Sequence, residues 1–244
     1  MRLNRFLARA GVSSRRGADV LIAEGHVTVN GETVMEMGVH VSPTDRVTVD
    51  GKPVGLAGLV YVLLNKPTDT ITTVSDDRGR RTVLDVVSGV PQDGLFPVGR
   101  LDRDTTGALL LTTDGDLAHR LMHPRYGAVK VYIVTTERPV SEAEVASLKS
   151  GVELDDGRAA ADHAERFADD PRRVALQLHE GRNRQVRRMI EAIGHSVVSL
   201  DRIGYAGLDL DGLRRGRWRH LQPHEVNTLR RSVKLKSIVF RDEE

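Results

Sequence analysis

The chain has 244 residues, with 36 Lys and Arg against 34 Asp and Glu, 39% hydrophobic residues, 4% aromatics and no Cys. Without Cys there is no disulfide framework, thiolate zinc site, iron–sulfur cluster or cysteine nucleophile, and nowhere do ~18 apolar residues run uninterrupted as a membrane span requires. A cytoplasmic protein of one large or two smaller domains is expected, since the start, MRLNRFLARAG, has three Arg and no apolar core of signal-peptide length.

The opening residues read as helix, turn, helix and a small hairpin. Leu3, Phe6, Leu7 and Ala10 repeat at helical spacing, while Arg2, Arg5 and Arg9 fall on another face. Gly11 ends that helix, and Ser13 or Ser14 can cap a second one whose Ala18, Leu21 and Ile22 face inward. Arg15 and Arg16 occupy its first turn. Cations there oppose the helix dipole, a placement better explained by an external anion than by the helix itself. Residues 26–29 alternate into Asn30-Gly31, the strongest short hairpin signal, and residues 46–49 supply a later strand.

The segment RLNRFLARAGVSSRRGADVLIAEGHVTVNG resembles an S4 domain, a small RNA-binding module. The resemblance implies that this part grips structured RNA, with Arg2, Arg5, Arg15, Arg16 and Asn30 as candidate contacts. Residues 52–57 read as a linker, giving expected domains of residues 1–57 and 58–244.

From Leu59 onward short strands outnumber helices. Residues 59–64, 108–111, 129–134 and 174–178 are apolar strand candidates, whereas 116–122 and 141–150 read as helices, the latter with Ser141 as cap and Glu144 at the capping-box position. Strands in runs with scattered helices indicate an α+β fold, with a mainly antiparallel mixed sheet flanked by helices.

Residues 99–107, Gly-Arg-Leu-Asp-Arg-Asp-Thr-Thr-Gly, form a polar loop mounted between two hydrophobic runs. Arg100 and Arg103 flank Asp102 and would keep that carboxylate ionised. Asp102, Asp104, Thr106 and Gly107 match part of a calcium loop, but its last position is Thr113 rather than Glu, so no metal is expected. Later, Val186, Met189, Ile190 and Ile193 mark one face of a helix whose Arg184, Arg187 and Arg188 lie away from it.

GRLDRDTTGALLLTTDGDLAHRL, Lys130-Val131-Tyr132 and the run from Glu180 to Met189 occur in an order similar to that of the pseudouridine synthases of ribosomal RNA, both type A, which serves the small particle, and type B, which serves the large one. That resemblance implies Asp102 as the essential carboxylate, with Tyr132 and Arg187 as catalytic partners and Arg187 paired to Asp102. It further implies substrate contacts from Arg100, Leu101, Lys130, Asn183, Arg184, Arg188 and Leu200, with Leu200 preferred over Ile203 as the apolar pocket residue. The chain departs from the family at Thr68-Asp69, Val129 and Gly204-Tyr205-Ala206.

Two basic zones frame an acidic stretch at residues 152–170: five Arg against two acids in residues 1–31, and fourteen Lys and Arg against six acids in residues 180–241. Such segregation fits a polyanion-binding surface. His123 and His195 lie at no metal-ligand spacing, and Arg80-Arg81 belongs to a turn with a phosphate-facing side. The expectation is a cofactor-independent enzyme, acting as a monomer on ribosomal RNA or a ribosome-assembly intermediate and making pseudouridine in large-subunit RNA. Small-subunit RNA, or a non-catalytic assembly role, are the alternatives.

Overall fold

The computed structural model describes residues 1–240. The chain divides into two compact units: Met1–Tyr61 with Gly89–Phe96 and Leu111–Gly115, and Val62–Ser88 with Pro97–Leu110 and the chain from Asp116 onward.

In the first unit, α1 (Leu3–Arg9) and α2 (Arg15–Ala23) precede four short strands, β1 (Val27–Val29), β2 (Glu32–Thr33), β3 (Val47–Val49) and β4 (Lys52–Val54). Ser14 rather than Ser13 caps α2, its hydroxyl accepting from the Gly17 N–H at 3.0 Å. The strands form an antiparallel sheet in the order β2-β1-β3-β4. Leu3, Phe6, Leu7, Ala18, Ile22, Val27 and Val47 form its core. The stretch read as a linker therefore begins with a strand: Lys52–Val54 pairs with β3 because Asp50-Gly51 turns the chain back on itself. Gly94, with φ +67°, lies so close to α1 that a Cβ there would meet the Arg9 carbonyl oxygen at 2.5 Å.

The remaining elements are β5 (Tyr61–Lys66), α3 (Val83–Val86), β6 (Phe96–Pro97), β7 (Thr106–Thr112), α4 (Gly115–Met122), β8 (Lys130–Thr136), α5 (Glu142–Ser150), β9 (His163–Arg166), β10 (Arg173–Leu178), α6 (Gln185–Ala192), β11 (Val197–Tyr205), β12 (Leu208–Asp209), β13 (Trp218–His220) and α7 (Pro223–Ser232). The sheet order is β13-β5-β7-β11-β8-β10-β9, with β6 beside β7 and β12 beside β11. The β11–β7 pair is parallel, whereas β11–β8, β8–β10, β10–β9 and β13–β5 are antiparallel. Ser141 and Glu144 close a capping box on α5, as the sequence predicts. Under one face of the sheet, Val145 and Leu148 of α5 and Met189 and Ile190 of α6 pack on Val134, Leu176 and Leu200.

One close approach positions the polar loop. Gly107 has φ +109°, and a Cβ on it would stand 2.2 Å from the Arg202 carbonyl oxygen. Only Gly lets β7 meet β11 there, so the loop before β7 is fixed against the sheet at its C-terminal end.

Candidate active site

Two devices clamp the 99–107 loop, and neither is legible as a motif. Lys66, at the end of the apolar strand β5, is 0% exposed. Its Nζ donates to the carbonyls of Asp102 (3.0 Å), Arg103 (3.3 Å), Thr105 (2.8 Å) and Pro67 (3.1 Å). Burial pushes its pKa down to about 8, against the pull of Asp104 and Asp102. Thr72 holds the other side, its hydroxyl donating to the Leu101 carbonyl at 2.7 Å and accepting from the Leu101 N–H at 3.2 Å. A lysine closing an apolar run is the one sequence signal for Lys66; for Thr72 there is none.

The loop projects Asp102 with 41% of its side chain exposed. Arg184 Nη1 lies 3.6 Å from Asp102 Oδ2. Arg184 is the N-cap of α6 at φ +47°, a left-handed conformation uncommon for a long side chain and here coincident with the site. The expected Arg187–Asp102 pair is not formed. Arg187 Nη2 lies 2.8 Å from Asp104 Oδ2 and donates to Thr105 Oγ1 at 3.5 Å. The reason is placement: Arg187 stands in the first turn of α6, buried to 8% side-chain exposure, against the loop's second carboxylate. Nor does Arg103 serve Asp102, because its guanidinium pairs with Asp69.

Tyr132 is half-buried on β8, between Leu176 of β10 and Arg202 of β11. It borders two spaces. One, of about 80 Å³, is bounded by Asp102, Thr105, Leu178, Arg187 and Leu200. The other, of about 630 Å³, extends past Lys130 and Arg202 to Met122, His123 and His179. Leu200 is 5% exposed and lines the smaller space with Leu101, whereas Ile203 lies away in a separate apolar hollow. Arg100 and Asn183 reach the larger space.

Other expected contacts are engaged within the protein. Arg188 makes a two-pronged ion pair with Asp156 at 2.9 and 3.0 Å, and Arg182 reaches the same carboxylate at 3.3 Å. The acidic stretch thus folds onto the basic helix. Asn30, at φ +54°, spends its amide on Asp45 (3.1 Å) and the Arg46 N–H (2.9 Å), closing the hairpin it begins. Arg2, Arg15 and Arg16 are exposed, and Arg5 is half-buried. Arg80 is bound to Asp76, His123 caps the turn at Pro124–Tyr126, and buried His195 approaches Glu144 at 3.1 Å.

A carboxylate held by its main chain, half open to a cavity and flanked by a phenol and guanidiniums, suits the role of nucleophile or general base. Comparison with known proteins narrows that chemistry. The family model described as RNA pseudouridylate synthase matches residues 60–192, and that of the S4 domain matches residues 1–47. The ribosomal large subunit pseudouridine synthase B of Bacillus subtilis (strain 168) is 46% identical over 233 residues, covering 94% of this chain and 95% of that protein. An uncharacterized RNA pseudouridine synthase of Aquifex aeolicus (strain VF5) is 42% identical over 242 residues, covering 98% and 97%. Among solved structures, a pseudouridylate synthase superposes with a TM-score of 0.67 at 32% identity, covering 94% of this chain and 99% of that one.

Proposed function

This chain belongs to the RNA pseudouridylate synthase family and carries an S4 domain, and from that premise we propose that it isomerises one uridine of large-subunit ribosomal RNA. The enzyme class follows from the family. The choice of large-subunit RNA rests on the relatives that bear that name over nearly their whole length or over part of it, as in Bacillus subtilis and in Xanthomonas campestris pv. campestris. The S4 portion is taken as residues 1–57 and the catalytic portion as 58–244, acting as a monomer in the cytoplasm on ribosomal RNA or an assembly intermediate.

The single observation that supports the catalytic assignment is the mounting of Asp102: its main chain is tied to buried Lys66 while its carboxylate opens on the cavity. Pseudouridine formation breaks the bond from ribose C1′ to uracil N1 and rejoins the base through C5, with no net redox change or hydrolysis. Asp102 acts either as nucleophile at C1′ or as base at the C2′ proton. The base leaves its stack to reach the carboxylate, and Tyr132, between the two spaces, offers its ring as the platform. Arg184 faces Asp102 at 3.6 Å, while Arg187 steadies Asp104 and Thr105 and so the loop.

The test is incubation of the protein with unmodified ribosomal RNA of the large particle and, separately, of the small one, followed by mapping of pseudouridine. One modified position in the large-subunit RNA supports the reading. Product only in small-subunit RNA would replace the substrate, and product in neither would remove the ribosomal assignment.

A further inference from the structure

Besides the exposed Arg100, the cavity of about 630 Å³ beside Asp102 holds two cations that the reaction at Asp102 does not use. Arg182 and Arg184, on its rim, face carboxylates: Glu180 at 3.3 Å and Asp102 at 3.6 Å. Lys130 and Arg202, on its floor, differ. Among the described residues neither forms an ion pair, and the carboxylates whose charge reaches Lys130 are taken, Glu180 by Arg182 and Gln185 and Asp162 by His179.

Arg202 is 2% exposed. Its Nε donates to the Ala108 carbonyl at 2.8 Å and its guanidinium stacks 4.6 Å from the centre of the Tyr205 ring, but its Nη2 is buried without a hydrogen-bond partner. Lys130 Nζ donates to the carbonyls of Ala128 (3.0 Å) and His179 (3.4 Å), leaving one N–H for another acceptor. Strand register places both cations beside Tyr132: Arg202 is opposite Tyr132, and Tyr205 is opposite Lys130. Burial, and then the charge of Arg202, push Lys130 down to about 8. Two like charges in a poorly hydrated floor are costly unless an anion joins them.

We propose that Lys130, backed by the buried charge of Arg202, forms a subsite for a phosphodiester of the RNA strand next to the nucleotide that reacts at Asp102. A phosphodiester carries a fixed negative charge that matches unpaired fixed cations, whereas a uracil arrives neutral. At about 630 Å³ the cavity is larger than a single base needs, which leaves room for a backbone group of the strand beside the reacting nucleotide. This inference rests on the reading that the substrate is RNA.

The test uses the full chain and a substrate RNA fragment in which each linkage around the target uridine is replaced, one at a time, by an uncharged methylphosphonate. Wild-type affinity should fall about tenfold at one flanking linkage, and Lys130→Met should cost about the same on unmodified RNA. With both changes together the second should cost nothing further, because they remove the same contact. Arg202→Lys, which keeps the charge, should retain the linkage effect if folded, as checked by thermal melting. Independent, additive losses at every linkage would overturn the proposal. So would unchanged affinity with lost turnover in Lys130→Met, which would place the cation on the reacting base. Turnover of the unmodified fragment by the wild type tests the ribosomal reading separately, because the linkage scan reads binding alone.

Discussion

Arg187 is paired with Asp104 at 2.8 Å, leaving Asp102, two residues earlier, with the more distant guanidinium of Arg184. The loop therefore carries a division of labour: one carboxylate anchors, the other is presented to the cavity. Arg187→Lys keeps the charge but loses the planar fork, and is expected to lower turnover much more than RNA affinity. In a double-mutant cycle with Asp104→Asn, turnover should show a coupling on the order of 1–2 kcal/mol. Equal loss of turnover and affinity, with no coupling, would make Arg187 a phosphate clamp.

Lys66 serves three carbonyls of the same loop from a fully buried position. Lys66→Met strands those acceptors and should cost on the order of 3 kcal/mol in denaturant unfolding, with turnover falling alongside. The pH dependence has a definite sign. Folded Lys66 releases its proton near 8 and the unfolded side chain only near 10.5, so the unfolded state binds more protons between those values. Wild-type stability should rise relative to the variant across that window, widening the gap. A narrowing gap would mean that folding strengthens the lysine's hold on its proton.

Arg15 and Arg16 stand exposed in the first turn of α2, where the helix dipole disfavours them. Changing both to Gln should reduce the slope of log affinity against log salt by about two, with saturated turnover unchanged. An unchanged slope would show that these arginines are merely solvated.

Much of this arrangement is legible locally. The S4 helices, the α5 capping box and the mounting of the 99–107 loop between apolar runs all follow from periodicity, caps and turn residues within a few positions. The long-range partners do not. Nothing near Arg187 distinguishes Asp104 from Asp102, because that choice depends on how far α6 passes beneath a loop 83 residues earlier. Lys66 reads as the end of a strand, since burial of its ammonium depends on carbonyls supplied by residues 102–105. Asp156 belongs to what reads only as an acidic stretch, and the fold alone sets it against Arg188.

The measurement that bears most directly on the account is made on Asp102→Asn. The substitution preserves size and much of the hydrogen-bonding shape but removes the charge, so the side chain can neither attack C1′ nor take the C2′ proton. The main-chain bond from Lys66 to residue 102 does not involve the altered atoms, and the fold should melt as the wild type does. Pseudouridine is measured in a ribosomal RNA fragment after long incubation, beside affinity for the same fragment. No product is expected, with affinity retained or slightly increased, because a negative charge facing a polyanion has been deleted. Near-normal product from the folded variant would contradict this expectation and leave Asp102 a structural residue of its loop.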